Sequence, residues 1–385
     1  MARETTFRII AGTVADARAE RTLAAVSIED GRIVEIQRWS SGMTPNSTDV
    51  DMSACTLVPG FIDIHVHGGA GRNVMEGSED ALTAVGEHLL SHGVTSWLAT
   101  TVTGPLDETR EVLSAARSIM RHGREGANLL GVHLEGPYIN PVRKGAQPEQ
   151  FILPPDPQAF LGWVGDLLPL VRIVTFAPEV SGGFEFARML SNLRIIPSIG
   201  HTDATYDEVC LAIDAGARHV THCCNAMRPL GSREPGVVGA VMTHPELTAE
   251  LIWDNIHVHP AVCKALVQAK SSRGVILISD GIPGAGMPEG YQFSLGDLPA
   301  VVKSGAARLP DGTLAGSLLT LDRAFANSAS MHLPACCSMT SHNAACALGL
   351  GDRKGLVAPG YDADLTALDA NGNVAAVWVA GQRRL

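Results

Sequence analysis

His65-Val66-His67 sets two imidazoles at i and i+2, and Glu135, His201, His222 and Asp280 are single histidines or carboxylates at the ends of apolar runs. Side chains two apart on a strand share a face, so both imidazoles of such a pair can enter one cavity. Taken alone an H-x-H pair is a weak signal, because soluble proteins more often use it structurally. The other four groups change that reading: Glu135 and His222 each end a run, and His201 and Asp280 each follow one. Imidazole nitrogens and carboxylate oxygens suit zinc, iron or a similar divalent ion, and without a cysteine quartet the expectation is a catalytic ion with an open position. Water on such an ion has its pKa lowered to about 7. Asp280 is then expected to take the proton of that water and return it to a departing amine, one carboxylate serving as base and then acid. The plainer use of Asp280 is as a helix cap ahead of Gly281-Ile282-Pro283.

Such groups act together only if the fold gathers them. Between Pro59 and about Leu350, short apolar runs alternate with helix-length amphipathic segments, the mark of a parallel sheet wrapped by helices. Eight runs qualify: Ile62–His67, Val94–Thr100, Leu130–Glu135, Arg172–Ala177, Ile195–Gly200, His219–His222, Glu250–Trp253 and Val275–Ser279. Helices are expected at Glu79–Ser91, Leu106–Arg121, Tyr206–Ala215 and Pro260–Ser271, among others. Eight strands imply an α/β protein built as a (β/α)8 barrel, whose active site gathers at the carboxyl ends of the strands. Five imidazole or carboxylate groups and an aspartate at such ends would be costly if merely buried.

The chain ends read differently. Val26–Glu29 and Arg32–Ile36 alternate apolar and polar residues around an Asp30-Gly31 turn, and Asp364–Leu368 and Val374–Val379 flank an Asn371-Gly372 turn. Both ends are therefore expected in one small β-sandwich domain, residues 1–57 with 356–385, packed against a barrel spanning 58–355. No internal repeat or low-complexity linker separates them.

At 385 residues, 45% apolar, the chain suits one barrel with a small accessory domain. Its formal net charge of −11 argues against a nucleic-acid partner and means that an anionic substrate needs a local cationic pocket. The start MARETTFRII carries no long apolar segment, and no stretch offers the roughly 18 apolar residues of a membrane span. The expectation is a soluble cytoplasmic protein without a membrane partner. Eight cysteines include Cys223-Cys224 and Cys336-Cys337 but no CxxC pair, so reduced, mostly buried thiols are expected.

Several longer motifs are recognisable: Pro59-Gly60-Phe61-Ile62-Asp63-Ile64-His65-Val66-His67-Gly68, His133-Leu134-Glu135-Gly136-Pro137, Gly200-His201-Thr202-Asp203-Ala204, and Thr221-His222 with Asn225-Ala226-Met227. In this order the chain resembles the N-acetylglucosamine-6-phosphate deacetylases of the amidohydrolase superfamily, up to Leu314-Ala315-Gly316-Ser317. The closing Lys354-Gly355, Pro359-Gly360 and Asp362-Ala363-Asp364-Leu365 stretch is typical of the superfamily at large. The resemblance implies hydrolysis of the acetamide of a phosphorylated N-acetyl amino sugar, with Glu135, His201 and His222 as metal ligands and Asp280 as the acid/base. It also implies substrate contacts from Ala146, Gln147, Asn225, Ala226, Arg233, Asp254, His257, Leu314, Ala315 and Gly316. Arg233 and His257 suit a phosphate, through a guanidinium fork and an imidazole donor; their plainer readings are a solvated surface charge and a packed core histidine. Family members that retain the H-x-H pair can hold two ions, and this chain retains His65 and His67, so one or two divalent ions per subunit are implied, zinc first and iron or another ion second. Part of the family has histidine where Gln147 stands; glutamine donates a hydrogen bond but cannot become cationic. Bulkier residues are frequent in the family where Cys223-Cys224 stands. The resemblance further implies a homodimer, with His257 serving the neighbouring subunit's site.

Other amidohydrolases, such as hydantoinases, dihydroorotases and dipeptidases, often bridge two ions with a carboxylated lysine ending the fourth strand. Here that strand ends Phe176-Ala177-Pro178-Glu179, without lysine. N-acetylgalactosamine-6-phosphate deacetylase is a closer rival, differing at one sugar hydroxyl. A non-enzymatic barrel is disfavoured by the intact ligand set.

Overall fold

Eight short strands lie in chain order in one parallel sheet: Phe61–Val66, Val94–Thr101, Asn128–Glu135, Val171–Phe176, Ile196–Ile199, His219–Val220, Thr248–Leu251 and Val275–Leu277. The computed structural model describes residues 6–40, 43–295 and 298–385. Nearly every residue of these strands is buried, because helices cover the outside of the sheet and side chains fill the inside. That double burial is why the strands read as continuous apolar runs. The seam between the first and eighth strands closes just past their ends: Asp280 N donates to His65 O at 2.9 Å, His67 N donates to Gly281 O at 2.7 Å, and Val66 bridges Gly281. The eight-stranded barrel expected from the sequence is thus present.

The expected helices occur as Glu79–Ser91, Leu106–His122, Tyr206–Asp214 and Pro260–Lys270. Ser78 accepts from Ala81 N at the start of the first, and Thr205 and Glu208 form a capping box on the third. Phe160, Phe176, Phe186, Trp97 and Trp253 are buried in the large barrel core.

The chain ends form one seven-stranded sheet, in the order Gln382–Arg383, Val374–Val379, Leu365–Leu368, Val50–Pro59, Thr6–Ala15, Glu20–Glu29, Arg32–Arg38. All its pairings are antiparallel except that of Thr6–Ala15 with Val50–Pro59. Residues 1–5 of the expected terminal domain lie outside the described residues. Asp30 and Gly31 both have positive φ, 47° and 78°, the geometry of a two-residue hairpin turn. Ile9, Val26, Ile28, Leu57, Leu365 and Trp378 form the core of this sheet. Strand Val50–Pro59 runs through Gly60 straight into the first barrel strand, and a buried Lys354 pairs with Asp364 and, at 3.1 Å, with Asp362.

One element was not anticipated. After the eighth strand the chain adds a three-stranded antiparallel sheet, Gln292–Leu295, Leu298–Lys303 and Ala306–Arg308, before returning to the barrel. All eight cysteines are free; four are buried, three half-buried, and Cys346 is exposed. Among the described residues no helix is long and apolar enough to cross a membrane.

Candidate active site

Six groups from five strands meet at the carboxyl mouth of the barrel. His201, His222 and Asp280 each stand just past a strand with positive φ, 48°, 27° and 49°. Non-glycine residues adopt this region at a cost and persist there only where the surroundings enforce it. Here the turn swings each side chain back across the barrel axis. The result is tight: His222 Nε2 lies 3.0 Å from Glu135 Oε1 and 3.0 Å from His201 Nε2, and His201 Nε2 lies 3.3 Å from the same oxygen. His65 and His67 complete the cluster from the first strand. Their Nε2 atoms are 3.1 Å apart, 3.4 and 3.2 Å from Asp280 Oδ1, and 3.3 and 3.4 Å from Glu135 Oε1 and Oε2 respectively. Asp280 is therefore part of this cluster and does not cap a helix.

The outer nitrogens decide what the inner ones can do. His201 Nδ1 faces Arg143 O at 3.0 Å, His67 Nδ1 faces Thr100 O at 3.1 Å, and His65 Nδ1 faces Glu250 Oε2 at 2.8 Å. Carbonyls and carboxylates only accept, so each Nδ1 carries a proton and each Nε2 is left to present a lone pair inward. Three inward lone pairs, a fourth imidazole and two carboxylates crowd one space, an arrangement that repels itself unless cations fill it. Ligands about 2.0–2.1 Å from a four-coordinate ion stand roughly 3.3–3.4 Å from one another, close to the separations found. Glu135, His201 and His222 form one candidate set and His65, His67 and Asp280 another. The donor set thus fits a divalent ion at either set, and Glu135 lies within reach of the imidazoles of both.

Without an ion, protons take the cation's place. Burial opposes a charge on His67, but hydrogen bonding to Asp280 and Glu135 pushes it up to about 9. Burial likewise opposes ionisation of Asp280 and Glu135, yet the surrounding imidazoles hold Asp280 below the usual carboxylate range and Glu135 well below it. Loading the His65 and His67 set with zinc near pH 7 is therefore expected to release protons, because Nε2 of His67 must give one up. The release should fade as pH rises past about 9. Calorimetric titration in two buffers of different ionisation enthalpy checks this; identical apparent enthalpies would contradict it. His133 is not a further ligand. Its Nδ1 donates to Ile64 O and its Nε2 accepts from Thr175 Oγ1, and burial pushes it down to about 3, so it stays neutral.

The cluster forms the floor of a cavity of about 320 Å³. Of the residues implied to touch substrate, Ala146, Gln147, Asn225, Ala226, His257, Leu314 and Gly316 line it. His65 lies beneath, fully buried. Gln147 is committed at both ends of its amide: Nε2 donates to Glu135 Oε2 at 2.6 Å and Oε1 accepts from Thr103 N at 2.7 Å. It steadies the Glu135 carboxylate at the cavity wall. Asp254 does not line the cavity but holds His257, with Oδ2 2.6 Å from Nδ1 and Oδ1 accepting the main-chain N–H groups of Ile256 and His257. Burial works against charging His257, but the Asp254 carboxylate raises it above the ordinary imidazole range, so the ring tends to the cation facing the cavity. Ala315 is fully buried behind the wall, against Ile282. Arg233 is exposed and stands apart from the cavity, in keeping with the plainer reading of a solvated surface charge.

Val102, Pro148, Ile282 and Thr313 also line the cavity, and sequence reasoning did not single them out. Thr313 and Leu314 arrive from the end of the unanticipated three-stranded sheet. The alternation of Gln292-Phe293-Ser294-Leu295 and the Ser304-Gly305 turn were the signals available for it.

The amidohydrolase family model matches residues 56–384. The chain is 40% identical to N-acetylglucosamine-6-phosphate deacetylase of Bacillus subtilis (strain 168), over 90% of this chain and 89% of that one. It is 36% identical to N-acetylgalactosamine-6-phosphate deacetylase of Escherichia coli O157:H7, over 92% and 93%. Its fold is similar to a mutant N-acetyl-D-glucosamine-6-phosphate deacetylase from Mycobacterium smegmatis in complex with N-acetyl-D-glucosamine-6-phosphate, with a TM-score of 0.92, 32% identity and coverage of 99% and 100%.

Proposed function

Because the chain belongs to the amidohydrolase family, we propose that it hydrolyses the acetamide of N-acetylglucosamine 6-phosphate, giving glucosamine 6-phosphate and acetate. The observation that carries this reading is the convergence of Glu135, His201 and His222 within 3.0–3.3 Å beside Asp280, on the floor of a cavity that His257 also lines. A divalent ion held there would supply Lewis-acid chemistry, with a bound water of pKa about 7 and polarisation of the amide carbonyl. Glu135, His201 and His222 would hold one ion, and His65 and His67 a second, with Glu135 between them; zinc is the ion proposed. Asp280, held ionised, accepts the proton of the attacking water and delivers it to the amine nitrogen as the carbon–nitrogen bond breaks. Gln147 keeps Glu135 in register, and Asn225, Ala226, Leu314 and Gly316 shape the sugar's seat.

The phosphate is assigned to His257 and Arg233. The expected cross-subunit role of His257 is not needed, since His257 lines the cavity of its own chain; Arg233, exposed in a single chain, would reach the site only if the homodimer proposed here brings it there. Arg233→Ala is expected to weaken kcat/KM on the phosphorylated sugar by roughly 1.5–3 kcal/mol, the scale of a charge-assisted hydrogen bond, with little change on the unphosphorylated one. Equal losses on both would mean that Arg233 supports the fold. A cytoplasmic location and the division into 1–57 with 356–385 and 58–355 belong to the same proposal.

Acetate release measured on the 6-phosphates of N-acetylglucosamine and N-acetylgalactosamine, and on both sugars without phosphate, tests the function. Fastest turnover of N-acetylglucosamine 6-phosphate is expected. A preference for the galacto sugar would move the reading to the relative at 36% identity, and indifference to phosphate would overturn the substrate.

A further inference from the structure

The mechanism leaves Glu250, a carboxylate of the barrel interior, without a role. Glu250, on the seventh strand, is fully buried and accepts three N–H groups. Its Oε2 takes His65 Nδ1 at 2.8 Å and the main-chain N of His222 at 3.0 Å, and its Oε1 takes His219 Nε2 at 3.0 Å. Burying a carboxylate so deeply is costly unless each lone pair is matched, and an apolar side chain would fill the same space without that cost. The placement is specific to the site: His65 is the one member of the H-x-H pair with no main-chain carbonyl at Nδ1, since His67 has Thr100 O for that purpose. His133 lies 4.7 Å from the His65 ring, centroid to centroid, but both its nitrogens are already engaged.

We infer that Glu250 is the positioning residue of the ion site formed by His65 and His67, fixing the tautomer and ring plane of His65 and tying it through one shared oxygen to the main chain of His222. A carboxylate behind a ligating imidazole makes the other nitrogen a better donor as well as aiming it. The inference rests on the two-ion part of the proposed function.

Zinc titration of metal-free protein, with bound zinc counted by elemental analysis, tests it. Wild type is expected to bind two ions of different affinity. Glu250→Gln keeps the length and one acceptor oxygen but removes the charge, and should weaken the second ion by about 10–100-fold while leaving the first as it was. Glu250→Asp keeps the charge but draws it back from His65, and should give the same selective loss. His65→Ala should lose the second ion outright, and adding Glu250→Gln to it should then change nothing further. A wild type that binds one ion would remove the two-ion reading. Two ions in wild type with unchanged binding in both Glu250 variants would overturn the role of Glu250 alone. Equal weakening of both ions, or further loss in the double variant, would make Glu250 a support of the barrel and not of His65; thermal melting of the metal-free proteins separates that case.

Discussion

Asp280→Asn is expected to lower kcat by at least about a hundredfold, the scale of lost general acid–base catalysis, while the ion held by Glu135, His201 and His222 stays bound. The main chain at Asp280 is fixed independently of its side chain. Its N donates to His65 O, its O accepts from Ser317 N at 2.8 Å, and its φ of 49° is a turn that asparagine tolerates well. The substitution therefore keeps shape and place and removes only the ability to accept a proton. Because the neighbouring imidazoles hold the wild-type carboxyl below its usual range, the base form persists at neutral and mildly acid pH, so the loss should be seen across that window and not at one pH. Steady-state kcat beside metal content checks this. Near-normal kcat with metal in place would remove Asp280 from the proton transfer.

Chelation should bring turnover to background and zinc should restore it, and Glu135→Ala should do the same irreversibly. One carboxylate touches every imidazole of the cluster: Oε1 lies 3.0 Å from His222, 3.3 Å from His201 and 3.3 Å from His65, and Oε2 lies 3.4 Å from His67. Removing it takes away the carboxylate that touches the imidazoles of both candidate ligand sets, so metal bound by the Glu135, His201 and His222 set should be lost. The polarising effect of such ions is worth several kcal/mol, so activity should fall about a thousandfold or more. The fold should survive, because Glu135 ends its strand and its backbone pairing does not use the side chain. Retention of both ions by Glu135→Ala, or full activity of the demetallated protein, would refute the arrangement.

Much of this was legible because strands buried on both faces leave unbroken apolar runs, and a polar residue ending such a run stands out. Even the two-residue strand His219–Val220 could be found that way. Glu250 and His219 were harder: they stand at the start of their runs, away from the carboxyl ends, and nothing local distinguishes an inward side chain there from an outward one. Arg233 was harder to place for another reason. Its motif was recognisable, but a loop residue's position depends on contacts that no periodicity encodes, and in this chain it faces solvent. Ala315 sits next to wall residues Leu314 and Gly316 yet turns the other way, as neighbours in an extended segment do. The ends of the helices matched to within a residue or two because Ser78 and the Thr205 and Glu208 pair mark them chemically.

The sheet made from both chain ends has a consequence for how the nascent protein is assembled. Strand Val50–Pro59 pairs on one side with Thr6–Ala15, made before it, and on the other with Leu365–Leu368, made after the barrel, so that Thr56 meets Leu368. While the ribosome works through the barrel, that second side is an open edge with apolar Leu57 and Val58 along it, able to template another chain. Past Gly60 the chain enters the barrel strand Phe61–Val66, which carries His65 and leads directly to His67. A segment synthesised after the barrel thus shields the strand leading into the barrel mouth, and a ribosome that stops before Leu365 releases a chain that carries the proposed site residues beside an exposed, adhesive edge.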